Sequence, residues 1–72
     1  MKKISLKRIT KNDNEEIRIT TLRYRDEDFI DLRVFAELTS SEWLPTQKGF
    51  IVSRELLEEM VAGLNEALNA TS

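Results

Sequence analysis

At Ser53 the spacing of the apolar residues changes, and this change constrains the fold more than any other feature of the chain. Beyond it, Leu56, Leu57, Met60, Val61, Leu64 and Leu68 recur every three to four residues, the repeat that lines one side of an α-helix. Ser53 is a good N-cap, and Glu55 complements the positive end of the helix dipole. Before Ser53, apolar and polar residues alternate with period two, as in half-buried strands. The pattern predicts strands from about Lys3 to Lys11, Glu15 to Arg25, Phe29 to Leu38 and Lys48 to Val52. Asn12-Asp13-Asn14 and Asp26-Glu27-Asp28 supply turn chemistry between the first three, and Thr39 to Gln47 reads as a loop. The expected class is α+β: a four-stranded antiparallel sheet followed by one C-terminal helix (ββββα), in a single domain over residues 1–72.

Three-residue loops at both turns would set Leu6 opposite Thr20, Ile4 opposite Leu22, Leu22 opposite Leu32 and Tyr24 opposite Ile30. Ile4, Leu6, Leu22, Tyr24, Ile30, Leu32 and Val34 then share one face, which the helix can cover. The other face carries Lys7, Arg23, Arg25 and Arg33 with Phe29 and Phe35, and Ile9, Ile17 and Ile19 towards one end.

Seventy-two residues bury a modest fraction of their surface, and without cysteine there is no disulfide or thiolate metal site. Without histidine the usual zinc ligands and the commonest general base are missing too. Stability must come from an efficient core or from association, and a homodimer is the simpler expectation. No apolar run approaches the roughly 20 residues needed to cross a bilayer. The basic start Met1-Lys2-Lys3-Ile4-Ser5-Leu6-Lys7 lacks the apolar stretch of a secretory signal. The expected location is cytoplasmic or nucleoid, or the nucleus in a eukaryote, with no membrane partner.

Net charge is −2, but its distribution matters more than its sum. Met1 to Arg25 holds eight lysines and arginines against three acids, while acids gather at Asp26-Glu27-Asp28 and in the helix. Cations beside exposed rings suit single-stranded nucleic acid, the cations following phosphates and unpaired bases stacking on rings. The alternative for Arg23 and Arg33 is pairing with Asp31 and neighbouring carboxylates. Trp43 is either a lid on the core or a stacking group. Lys48 beside Gly49 is either a phosphate contact or a solvated turn lysine. Asp26, Asp28 and Asp31 read as turn and cross-strand carboxylates rather than a metal cluster. No nucleophile or general base suggests an enzyme, and no cofactor is expected.

Ile30-Asp31-Leu32-Arg33-Val34-Phe35, then Pro45-Thr46-Gln47-Lys48-Gly49-Phe50-Ile51-Val52, then an amphipathic helix, together resemble the positive cofactor 4 family of transcriptional coactivators. The resemblance covers about Glu15 to Leu68. It implies a sheet backed by a helix, a dimer, and a surface for unpaired DNA strands. It carries Arg33 and Lys48 over as backbone-contacting cations and Phe35 as an aromatic position. Gln47 departs from the pattern, standing where the family often has a second basic residue. Lys7, Arg23, Arg25 and Trp43 come from the face analysis alone. The expectation is a non-catalytic single-stranded DNA-binding protein acting in transcription, replication or repair, with the transcription machinery as a candidate partner. The alternatives are a dimeric protein-interaction module and a single-stranded RNA-binding protein.

Overall fold

The computed structural model describes residues 2–39 and 41–72. Strands β1 (Lys2–Asn12), β2 (Glu15–Tyr24), β3 (Glu27–Thr39) and β4 (Glu42–Ser53) are followed by helix α1 (Arg54–Ala70). They form one antiparallel sheet in the order β1-β2-β3-β4, so each strand pairs with its neighbour in the chain. The ββββα order matches the expectation from periodicity.

Three local features differ from it, besides the β1–β2 turn, which is Asp13-Asn14 with Asn12 paired to Glu15 after a register shift past Thr10, not a three-residue loop. First, β4 begins at Glu42, so Thr39 to Gln47 is not a loop. Pro45 breaks the alternating pattern there, yet β4 is an edge strand and its pairing is irregular between Arg33 and Phe35, the settings in which a sheet tolerates proline. Second, the β2–β3 turn is Arg25-Asp26, not Asp26-Glu27-Asp28, with Tyr24 paired to Glu27. Both turn residues have positive φ (52° and 64°), the backbone of a two-residue hairpin turn whose twist suits antiparallel strands. Third, β1 keeps the expected register from Lys7↔Ile19 to Thr10↔Glu16, then shifts by one past Leu6, giving Ser5↔Thr20 and Ile4↔Thr21. Such a bulge adds one residue to one strand and bends it.

The second difference has the largest effect. Leu22 faces Phe29 rather than Leu32, and Thr21 rather than Tyr24 faces Ile30. The offset is an odd number of residues, so side chains of β2 exchange faces relative to β3. Ile17 and Ile19 therefore join Ile30, Leu32 and Val34 on one side, not the arginine side. Leu22 and Tyr24 join Phe29, Arg33 and Phe35 on the other.

The helix lies on the isoleucine side. A shallow cavity of about 390 Å³ there is lined by Ile17, Leu32, Val34 and Phe50 of the sheet and Met60 and Leu64 of α1. Ser53 Oγ accepts a hydrogen bond from the Leu56 amide (3.2 Å), capping the helix as its sequence predicts. Cover is thin. Among the described residues the buried apolar side chains are Ile30 and Val52 on this side and Leu22 on the other. Leu57 and Met60 are half-buried, whereas Val61, Leu64 and Leu68 are exposed along the rest of the helix. Ile4 and Ile9, on the same side of β1, are exposed as well. No helix among the described residues is long and apolar enough to cross a membrane.

Candidate nucleic-acid interface

The face turned away from α1 is built by register. Arg8 of β1 stands opposite Arg18 of β2, Arg18 opposite Arg33 of β3, and Arg33 opposite Gly49 of β4. The adjoining row is Thr10, Glu16, Phe35 and Pro45, and Trp43 follows Pro45 on the same side, opposite Glu37. Cross-strand partners lie about 5 Å apart and share a face, so these cations and rings form one continuous surface.

Hydrogen bonds fix the arginine heads. Arg33 Nε donates to both carboxylate oxygens of Asp31 (3.1 and 3.3 Å), and its Nη1 donates to the Thr46 carbonyl (2.9 Å). Thr46 Oγ1 donates to the Val34 carbonyl (2.7 Å) and accepts from the Lys48 amide (3.1 Å), which shapes the irregular pairing between Arg33 and Phe35. Arg18 Nε donates to Glu16 Oε1 (2.6 Å), and its guanidinium lies 4.0 Å from the centre of the Phe35 ring. A cation at that distance from a ring is attracted by the ring quadrupole.

Gly49 is required by this geometry. Its φ is +142°, and a Cβ there would collide with the Leu32 carbonyl oxygen and lie 2.7 Å from Arg33 Cα. Both obstacles are backbone. The glycine that sequence pattern set beside Lys48 for phosphate access thus serves close strand approach under Arg33.

The predicted site residues separate into groups. Arg33, Phe35 and Trp43 lie on the face away from the helix. Arg25 occupies the turn, its guanidinium 5.1 Å from the centre of the exposed Tyr24 ring. Arg23 points to the helix side and pairs with Asp28 directly across the strands (2.7 Å), not with Asp31. Lys7 is exposed on that side too, opposite Ile19. Lys48 Nζ lies 3.4 Å from Glu15 Oε2, and Lys11 Nζ lies 3.5 Å from Glu15 Oε1. The structure therefore does not bring Lys48 onto the face of Arg33. The hydrogen bond from Asn12 (2.8 Å), with Lys48 and Lys11 beside it, holds the Glu15 carboxyl below its usual range. Sequence reasoning missed Arg8, Arg18 and Tyr24. A two-residue turn at Arg25-Asp26 was the signal that would have found Arg18 and Tyr24, because it sets which side they share with Phe35.

Comparison with known proteins agrees with this architecture. Residues 11–63 match the family described as Transcriptional Coactivator p15 (PC4). A PC4 homologue from Burkholderia pseudomallei K96243, in its tetragonal crystal form, superposes with a TM-score of 0.81 at 26% identity, covering 92% of this chain and 97% of that one. Its orthorhombic form gives 0.79 at 26% identity, with 89% and 86% covered. The bacteriophage T5 homologue of the eukaryotic coactivator PC4, implicated in recombination-dependent DNA replication, gives 0.76 with 99% and 82% covered. At 19% identity that last likeness is one of fold. No curated protein matches the sequence. A match across well over half the chain, joined to the same sheet-and-helix architecture, means that this protein belongs to the PC4 family of transcriptional coactivators.

Proposed function

We propose that this chain is a homodimeric, non-catalytic protein that binds single-stranded DNA, with the sheet face opposite α1 as its contact surface. The observation that carries the reading is the grouping of Arg33, Arg18, Phe35 and Trp43 on a face that the chain's own helix leaves uncovered. Cations there attract phosphates, and rings offer stacking worth about 1–3 kcal/mol per base. Arg25, on the Tyr24 ring at the turn, extends the surface along β2. Lys7, Arg23 and Lys48 add to the local field from the other side, where steering needs no direct contact. The protein acts wherever unpaired strands arise, in transcription, replication or repair, inside the cytoplasm or nucleoid.

Support for the dimer comes from the apolar side. Among the described residues only three apolar side chains are buried, a core too small to hold a chain of 72 residues by itself. Exposed Ile4, Ile9, Phe50, Leu64 and Leu68 on or beside the helix layer are the surface a second copy would bury.

The test is titration of a labelled oligothymidylate at several salt concentrations, with matched RNA and duplex DNA alongside. Four phosphate contacts give a log–log salt slope near −3, from about 0.7 per contact. Binding of the DNA single strand is expected to exceed that of duplex. A flat salt response, or preference for duplex, discards the mechanism; stronger binding of the RNA strand would transfer the reading to RNA.

A further inference from the structure

Glu15 opens β2, yet its carboxylate is held by residues of both edge strands. Asn12 of β1 donates to Oε1 (2.8 Å), and Lys11 Nζ lies 3.5 Å from the same oxygen. Lys48 Nζ of β4 donates to Oε2 (3.4 Å), reaching it from beyond β3. The β3 residue opposite Glu15 is Ala36, whose short side chain leaves room for that reach.

The effect is to draw the Lys48 head inward. Its backbone is one residue from Gly49, which stands opposite Arg33, so Lys48 sits at the β4 border of the arginine face. No strand lies beyond β4, and a released lysine stem is free to swing around that edge. Instead the ammonium is turned back over the helix side to Glu15. Asn12, with Lys48 and Lys11 beside it, keeps the carboxyl below its ordinary range, so Glu15 is charged at neutral pH. The lysine is the loose member of the pair, its side chain 66% exposed against 21% for Glu15. An ion pair that open adds little stability, so a phosphate can compete for it. Holding β4 in place needs no such strap, because its ladder to β3 already runs from Phe29↔Ser53 to Thr39↔Glu42.

We propose that Glu15 is an internal lock on Lys48: it withholds the lysine from polynucleotide, and loss of the carboxylate adds one phosphate contact at the β4 edge. This rests on the single-strand-binding reading above and adds to it a restraint, built into the fold, on how tightly a strand is held.

The experiment measures oligothymidylate affinity across a salt series, together with melting temperature. It compares wild type, Glu15→Gln, Asp13→Asn, Lys48→Gln and the double variant Glu15→Gln/Lys48→Gln. Asp13→Asn removes the same charge two residues away, in the β1–β2 turn, from a side chain with no ion pair among the described residues. Glu15→Gln is expected to bind about fivefold more tightly at about 0.1 M salt and to steepen the log–log slope by about 0.7, one contact's share. Its melting temperature should be equal or lower, because an ion pair is lost. A variant that binds more tightly without being more stable is not what a structural role would give. Asp13→Asn should gain less than about twofold, the effect of the screened field alone. Lys48→Gln should stay within about twofold of wild type, whereas in the Glu15→Gln background the same change should cancel the gain.

Equal gains from Glu15→Gln and Asp13→Asn would reduce the effect to net charge and overturn the lock. A loss from Lys48→Gln that is the same in both backgrounds also overturns it, since the lysine would then act without regard to Glu15. So does weaker or unchanged binding by Glu15→Gln. In each of these cases wild type still binds, and the broader reading stands. Failure of wild type itself to bind single strands removes the reading and the lock together.

Discussion

Two residues fix the geometry around the arginine face, and each makes a separate prediction. Gly49 lets β4 approach β3 beneath Arg33 with a backbone that side-chain-bearing residues rarely adopt. Gly49→Ala forces its Cβ against main-chain atoms, so chemical denaturation should show a loss of about 2–4 kcal/mol, combining backbone strain and overpacking. A loss below 0.5 kcal/mol, on the order of a neutral surface change, would mean the strands can part without cost. Glu15 acts through charge instead. Its carboxyl, hydrogen-bonded by Asn12 and flanked by Lys48 and Lys11, is more acidic folded than unfolded. Its contribution is therefore present above the ordinary glutamate pKa and is lost as pH falls through the lowered one. Melting curves of wild type and Glu15→Gln should differ near neutral pH and converge on acidification. Curves that stay parallel across that range would contradict the assignment.

Among the elements, the β2–β3 turn decides most and was the hardest to read. Arg25 and Asp26 both hold positive φ, a conformation that favours glycine or asparagine. Asp26→Gly should raise stability by about 1 kcal/mol by removing that strain, with β2 and β3 still paired through Tyr24 and Glu27. Unchanged or lower stability would show that the aspartate side chain compensates locally. The acidic triplet Asp26-Glu27-Asp28 looked like the loop because exposed acids favour turns. In the structure Asp28 is instead a strand residue, neutralised by Arg23 across the ladder. Strand order, the helix and its Ser53 cap were legible, because periodicity and capping are local properties of sequence. Register was not, since two- and three-residue turns both left plausible apolar faces. That one offset moved Ile17 and Ile19 to the helix side and hid Arg18 from view. Arg33, Phe35 and Trp43 nevertheless share a face, because they lie on β3 and β4, whose relation does not pass through that turn. The start of β4 was obscured by Pro45, which an edge strand tolerates.

The molecule as a whole is a thin plate, with extents of 40 × 37 × 18 Å, and one side of it is unfinished. Leu64 and Leu68 extend the helical stripe past the last half-covered residue, Met60. Sedimentation equilibrium of the 8.4 kDa chain should give twice that mass, and Leu64→Asp should yield the single-chain mass or an unfolded product. A folded, cooperative monomer from wild type would refute the dimer. The meander order adds a kinetic corollary. Every ladder joins neighbours in sequence, so the hairpins can zip up through short loop closures, ahead of the association proposed above. Refolding half-time for the sheet should then be insensitive to protein concentration, while the unfolding midpoint climbs with it by mass action.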